Sequence, residues 1–301
     1  MGMNKKILLL INPISGRGMI KEHLLMIIQK LSYLGHVVTV YPTKAKGDAI
    51  LRMKTAHDYD LIMVSGGDGT LNEVITGMIK ADLDAGIPIG YLPAGTTNDF
   101  AANLNISKNI PRALATCLEG KPLSIDIGQF NQRYFTYVAA FGAFTDVAYE
   151  TPQPRKNILG GLAYFIEGLL KLPTIQPYQC KITHRKGKLA GEYIFGMVSN
   201  SDSVAGIKNA FGNQADLNDG LFEVVLIKAP KNILDIQRIL TDFLNKKYDP
   251  DYVAMFRTDR LTIESEVAMK WTLDGENGGS LKRVNIKNLK RRIQVLTKEK
   301  R

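Results

Sequence analysis

The chain has 301 residues, 45% of them hydrophobic, and a formal net charge of +10, a length that exceeds one ordinary core and predicts two domains. Its two cysteines, Cys117 and Cys180, stand far apart with no neighbouring Cys or His, which excludes a disulfide framework or a structural zinc site and fits a reducing cytosol. No apolar run approaches the roughly 20 residues that span a bilayer, so any lipid is reached from the water side.

The first expected strand runs from Lys6 to Ile11 and ends at Asn12-Pro13-Ile14-Ser15-Gly16. Its apolar part is too short for a signal peptide, and Lys6 stands where a myristoylation motif needs Ser or Thr. Ile20, Leu24, Ile27, Ile28, Leu31 and Leu34 recur at helical spacing and precede a strand over Val37 to Tyr41. Leu61 to Val64 then feeds Ser65-Gly66-Gly67-Asp68-Gly69-Thr70-Leu71-Asn72-Glu73, with a helical pattern at Leu71, Val74, Ile75, Met78 and Ile79. Another apolar run, Ile87 to Leu92, leads into Pro93-Ala94-Gly95-Thr96-Thr97-Asn98-Asp99-Phe100.

Three expected strand ends therefore carry polar, glycine-bearing loops in a parallel α/β arrangement, the place where open sheets bind ligands. Such a glycine turn lets backbone N–H groups approach a phosphate at the positive end of a helix dipole. Asp68 would repel that phosphate unless a cation lay between them, which brings in Mg²⁺ carried by a nucleotide. The same glycines also serve a plain tight turn. The chain lacks Gly-x-x-x-x-Gly-Lys-Ser/Thr, so it has no ordinary P-loop. Gly16-Arg17-Gly18 lacks the third glycine of a dinucleotide fingerprint.

Beyond Asp126 the period changes. Tyr134 to Ala140, Tyr193 to Ser199, Leu221 to Ile227, Leu261 to Glu264 and Lys270 to Leu273 read as strands separated by turns. Two helical patterns interrupt them: Leu159 to Leu170, and Lys231 to Asn245 with Ile233, Ile236, Leu240 and Phe243 on one face. Arg155 and Lys156 precede the apolar face of the first, which suits a membrane interface as well as a core helix. His23, His36, His57 and His184 show no ligand spacing.

Asn-Pro-x-Ser-Gly from Asn12, Gly-Gly-Asp-Gly-Thr-Leu-Asn-Glu from Gly66 and Gly-Thr-Thr-Asn-Asp-Phe from Gly95, in that order, resemble the diacylglycerol kinase catalytic-domain family. Ser124-Ile125-Asp126-Ile127-Gly128, Tyr149-Glu150-Thr151-Pro152, Ala215 to Gly220 and Leu273-Asp274-Gly275-Glu276 extend the likeness over nearly the whole chain. The soluble bacterial members are the nearest pattern, with phosphatidylglycerol kinase-like and sphingosine kinase proteins as relatives. The resemblance implies an N-terminal nucleotide-binding α/β domain, similar to phosphofructokinase and NAD kinase, over residues 1–125. A C-terminal, mainly antiparallel β-sandwich would occupy 126–287, and residues 288–301 would complete the first domain.

The resemblance also implies the site residues. Asn12, Thr43, Gly66, Gly67, Asp68, Gly69, Thr70, Leu71, Asn72, Glu73 and Thr96 would bind ATP. Asp274 or Glu276 would be the general base. Asp216, Asp219 and Leu221, the last through its carbonyl, would hold a structural Mg²⁺, connected to the active site by Asp99 and Asp126. The implied reaction is ATP-dependent phosphorylation of diacylglycerol to phosphatidic acid, in phospholipid synthesis. Phosphatidylglycerol or a sphingoid base are alternative acceptors. An NAD kinase shares Gly-Gly-Asp-Gly, and a catalytically silent nucleotide- or lipid-binding regulator is the reading from another class.

The positive charge suits an anionic leaflet, where each Lys or Arg near the surface contributes about 1 kcal/mol. With no basic–aromatic stripe or recognition helix, nucleic acid is not the expected partner. A cytoplasmic enzyme docking on the inner face of the membrane is expected, with Arg17, Lys21 and Lys156 as candidate contacts and a homodimer as the family's assembly.

Overall fold

Leu8, Leu9 and Leu10 are completely buried, because a parallel strand flanked by helices on both faces has no solvent side and reads as a continuous apolar run. They belong to β1 (Lys6–Ile11), the centre of a parallel sheet with β2 (Val37–Pro42), β3 (Leu61–Gly66) and β4 (Ile89–Pro93) in the order β2-β1-β3-β4. The computed structural model describes residues 4–83, 86–142, 176–200, 203–204, 207–208, 217–245 and 247–298. The chain divides into two units, residues 1–125 with 291–301, and residues 126–290.

In the first unit the strands alternate with α1 (Ile20–Tyr33), α2 (Asp48–Met53), α3 (Asp68–Lys80), α4 (Asp99–Asn103) and α5 (Ile110–Glu119). In α1, Ile20, Ile27 and Leu31 are buried as one stripe. Leu34 falls at the C-cap and is 41% exposed, so the helical face read from the sequence stops one turn earlier. At the start of α5 the Asn109 side chain accepts the Arg112 N–H, with proline in the first turn, where its missing N–H costs nothing. The last strand of the chain, Glu276–Thr297, carries Arg291 at φ 50°. Beyond it, Val295 pairs in parallel with Ile89 of β4.

The second unit contains β6 (Arg133–Phe135), β7 (Val138–Gly142), β8 (Tyr178–His184), β9 (Gly187–Ser199), the two-residue strands β10 (Ser203–Val204) and β11 (Ile207–Lys208), β12 (Phe222–Lys228), β13 (Val253–Thr258), β14 (Arg260–Leu273) and most of β15 (Glu276–Thr297). The end of β5 (Lys121–Phe130) also lies in it. The pairs of β12 with β9 and β13, of β14 with β7, β8 and β15, and of β9 with β7 and β8 are all antiparallel. The long strands β9 and β14 each pair with β8 over one stretch and with β7 over another.

β12 shows why this half lacks clean alternation. Phe222, Val224 and Leu226 enter one core with Phe135, Phe141 and Trp271, while Val225 and Ile227 enter another with Ile236 and Ile239 of α6 (Ile233–Asn245). Both faces are covered, so every second residue stays apolar on either side. Trp271 anchors the first core, its ring centroid 5.0 Å from Phe130 and 4.9 Å from Phe141. The fold class is therefore as expected, α/β first and antiparallel β second. Two boundaries differ. The segments around Leu261 and Lys270 form one strand, interrupted by a register shift from Glu264 to Met269. Tyr134 to Ala140 is broken at Thr136-Tyr137, for a reason given below. The expected helix over Leu159 to Leu170 lies outside the described residues, and among those described no helix is long and apolar enough to cross a membrane.

Candidate active site

The strand order places β2 on one side of β1 and β3 on the other, so the chain leaves β1 in one direction and returns in the other. That reversal is a topological switch point, and the crevice beyond the carboxyl ends of β1 and β3 is where such sheets bind ligands. Asn12 follows β1, donating its N–H to the Ser65 carbonyl at 2.8 Å and its Nδ2 to Thr70 Oγ1 at 3.0 Å. The Ala94 N–H donates to the Gly66 carbonyl at 2.8 Å, tying the loop after β4 to β3. A Cβ on Gly95 would stand 2.4 Å from the Gly67 Cα, and one on Gly16 would stand 2.1 Å from the Ala94 oxygen. All three expected loops thus converge, and Gly16, Gly67 and Gly95 permit backbone to touch backbone.

α3 starts in this crevice. Its N-cap, Gly67, is extended and offers no side-chain cap, so the first-turn N–H groups have no capping partner from it and form a ready anion site. Gly69 is exposed in that first turn. Gly66 has a packing role instead, since a Cβ there would lie 2.6 Å from the Thr70 side chain.

Asp68 does something the sequence did not reveal. Its Oδ2 accepts the Asp99 N–H at 3.0 Å and lies 3.4 Å from the Thr97 hydroxyl, while Oδ1 accepts the Phe100 N–H at 3.2 Å. The carboxylate caps α4, so its charge is met by backbone donors, and the argument that Asp68 itself demands a cation is corrected on this ground. Asn98 supports the same loop at φ 54°, accepting the Gly95 N–H at 2.9 Å and donating Nδ2 to the Gly95 carbonyl at 2.8 Å. The buried Tyr91 hydroxyl lies 3.2 Å from the Gly66 carbonyl, and desolvation followed by the charges of Asp68 and Asp99 raises its pKa. Sequence reasoning assigned neither residue a role; an asparagine after Thr-Thr in a glycine loop was the available signal for the left-handed turn.

The remaining expected nucleotide residues divide. Thr43 follows β2 and donates its N–H to the Ile11 carbonyl, and Thr96 is exposed in the third loop. Leu71 is 1% exposed and is core. Glu73 Oε1 accepts the Gly47 N–H at 2.8 Å, fixing the entry to α2. Asn72 Oδ1 lies 3.4 Å from the Thr76 hydroxyl on the next turn of α3.

In the second unit Asp274 and Gly275 connect β14 to β15 with φ 50° and 82°, the two left-handed residues of a tight Asp-Gly hairpin. The Asp274 carboxylate is heavily engaged. Oδ2 accepts the Thr136 N–H at 2.7 Å and its hydroxyl at 3.0 Å; Oδ1 accepts the N–H groups of Tyr137 at 2.9 Å and Val138 at 3.0 Å. These bonds turn the chain between β6 and β7, which is why no single strand runs through Thr136. Burial pushes the Asp274 carboxyl above the usual carboxylate range, and the same four donors oppose that shift. Glu276, two residues on, is exposed.

From this hairpin a hydrogen-bonded path runs to the acidic turn. The Tyr137 carbonyl accepts the Asn200 N–H at 2.9 Å, and Asn200 Nδ2 donates to the Asp126 carbonyl at 2.8 Å. Completely buried Asp126 accepts the Gly220 N–H on Oδ2 at 2.6 Å. Asp219 Oδ1 accepts the Leu221 N–H at 2.8 Å, and its Oδ2 is paired with Arg257 Nη2. Arg257 Nε also donates to Glu223 at 3.0 Å. Burial is the main force that pushes the Glu223 carboxyl up to about 7, against the guanidinium that lowers it.

Of the residues expected to hold a structural Mg²⁺, Asp219 accepts the Leu221 N–H on Oδ1 and pairs with Arg257 through Oδ2, and no group of three His, Cys, Asp or Glu side chains that could hold a metal occurs among the described residues. Asp216 and the motif from Tyr149 to Pro152 lie outside the described residues, as does Lys156. Lys21 is exposed on α1. Arg257, Glu223 and Asn200 were missed by sequence reasoning, since nothing local marks partners that the strand register brings together.

The family model for the diacylglycerol kinase catalytic domain matches residues 6–130. A protein of Bacillus subtilis strain 168 named diacylglycerol kinase is 35% identical over 98% of this chain and 98% of its own length. Its namesake in Staphylococcus haemolyticus is 33% identical over 98% of this chain and 89% of its own. The crystal structure of a diacylglycerol kinase from Bacillus anthracis, 23% identical, superposes with a TM-score of 0.73 over 99% of this chain and 98% of that one, a likeness of fold. Identity at this level from end to end, joined to the convergent glycine loops, means that the chain belongs to the diacylglycerol kinase family of lipid kinases.

Proposed function

We propose that this enzyme transfers the γ-phosphoryl group of ATP, carried as its magnesium complex, to the free hydroxyl of diacylglycerol, forming phosphatidic acid. The observation that carries the reading is the meeting of three glycine loops at the switch point, with the uncapped start of α3 among them. The named relatives support the acceptor.

Phosphoryl transfer is mainly positioning and charge stabilisation. The α3 N-terminal N–H groups and the backbone of Gly67, Gly69 and Thr96 hold phosphate oxygens, and Asn12 fixes the loop through Thr70. The acceptor alcohol loses its proton as the P–O bond forms, and a carboxylate is a sufficient acceptor. Glu276 is assigned that role and Asp274 the role of holding the hairpin, because the Asp274 oxygens already accept four hydrogen bonds while Glu276 is exposed. The basic surface suits reversible docking on anionic lipid on the cytoplasmic side, and a homodimer is the family's assembly.

The test is Mg²⁺-dependent phosphate transfer from ATP in anionic mixed micelles, with diacylglycerol, phosphatidylglycerol, a sphingoid base and NAD as parallel acceptors. Preferential labelling of phosphatidic acid is expected. Labelling of another acceptor alone would keep the mechanism and change the substrate. Nucleotide binding without any transfer would mark a regulator.

A further inference from the structure

Tyr91 stands opposite Val64 in the parallel register of β3 and β4, two residues before the pair of Gly66 and Pro93. Two residues of strand rise about 7 Å, a distance that a tyrosine side chain covers. The ring is completely buried, and its hydroxyl lies 3.2 Å from the Gly66 carbonyl and 3.3 Å from Asn98 Oδ1. Both contacts are longer than the roughly 2.8 Å of an ordinary O–H···O bond, as when one proton is shared between two acceptors. Desolvation keeps the phenol protonated, so the donor persists at working pH.

The peptide between Gly66 and Gly67 has no Cβ on either side to resist a flip. Its carbonyl is held by the Tyr91 hydroxyl and by the Ala94 N–H, and in a trans peptide the Gly67 N–H then points the opposite way. Asn98 holds the loop after β4, accepting the Gly95 N–H on Oδ1 and donating Nδ2 to the Gly95 carbonyl, which in the same way sets the direction of the Thr96 N–H. We propose that Tyr91 is a positioning residue for the nucleotide phosphates: its one hydroxyl ties the Gly66 carbonyl to the Asn98 side chain and so fixes together the directions of the Gly67 and Thr96 N–H groups. The inference rests on the assignment of the glycine loops to ATP. Folding does not need the hydroxyl, because without it the Gly66 carbonyl keeps the Ala94 N–H and Asn98 Oδ1 keeps the Gly95 N–H, so neither acceptor is left unpaired.

Calorimetric titration of the full chain with AMP, ADP and ATP in excess MgCl₂, together with initial rates, tests this for the native protein, Tyr91→Phe and Cys117→Ala. The Cys117 thiol packs against β4, 3.8 Å from the Tyr91 carbonyl, so its truncation loosens the strand without touching the hydroxyl. Tyr91→Phe is expected to bind ATP about tenfold more weakly, the worth of one hydrogen bond, and to bind AMP as the native protein does. Its KM for ATP should rise while that for diacylglycerol stays unchanged. Cys117→Ala should bind all three nucleotides like the native chain. Native affinity for ATP in Tyr91→Phe would overturn the inference; so would an equal loss for AMP and ATP, or the same loss in Cys117→Ala. A native chain that binds no nucleotide would instead remove ATP from the loops, and the inference with it.

Discussion

Asp274 and Val138 hold each other twice: the Asp274 N–H donates to the Val138 carbonyl at 2.8 Å, and the Val138 N–H donates to the Asp274 carboxylate at 3.0 Å. The hairpin that presents Glu276 is thereby fastened to the start of β7. Asp274→Asn replaces one acceptor oxygen with an NH₂ group facing backbone donors, and is expected to cost about 2–4 kcal/mol of stability. Glu276→Gln should leave the melting temperature unchanged and lower kcat by about 10²–10⁴-fold. Calorimetry and initial rates on the two variants separate the roles; undiminished turnover in Glu276→Gln would remove that residue from proton transfer.

The loop contacts predict a sharp difference between two glycines. Gly95→Ala drives a methyl group to 2.4 Å from the Gly67 Cα, whereas Gly86→Ala meets nothing within 4 Å. Displacement of the phosphate loops by about 1 Å should lower kcat/KM for ATP about 100-fold in Gly95→Ala. Gly86→Ala should be kinetically silent. Equal kinetics in the two would show that the close approach does not position the nucleotide.

His184 stacks on Phe256 with ring centroids 4.2 Å apart, and its Nδ1 is buried without a hydrogen-bond partner. Desolvation, then the charge of Lys186, lowers its pKa below 6.5. The folded state therefore binds this proton less well than the unfolded chain, so stability from this group is complete above the unfolded pKa and is lost as pH falls through it. Urea titrations from neutral pH downward should show a steeper loss for the native protein than for His184→Phe, which keeps the stack. Parallel curves would exclude His184 as the source.

Both thiols are buried, and desolvation pushes each up to about 12. A thiolate-selective reagent at mildly alkaline pH should label neither Cys117 nor Cys180 in the folded protein and both after denaturation. Rapid labelling of the native chain would contradict the packing around β4 and β8.

The first half was legible because its signals are local. Leu8 to Leu10 form a buried run, and the glycines at positions 66, 67 and 95 lie at or within two residues of the ends of their strands. What Asp68 does was not legible, because its partners are backbone N–H groups at positions 99 and 100, and sequence shows charge without showing the donors that meet it. Asp274-Gly275 was readable both as a hairpin and as a site, and the hairpin geometry is what exposes Glu276. The pair of Arg257 and Glu223 lies 34 residues apart in sequence, and a strand register that no local pattern encodes brings them together. β14 was divided in two because the polar stretch Glu264-Ser265-Glu266 interrupts its apolar alternation at the register shift.

The pairing of Val295 with Ile89 has a consequence for synthesis. Chains emerge from the ribosome amino end first, so β1 to β4 are out long before the strand that pairs with β4 exists. Until residue 295 is translated, β4 offers an open row of N–H and C=O groups, the kind of edge that recruits wrong partners. The second unit is translated entirely within that interval, so the nascent chain must keep its first half from aggregating while its second half is made.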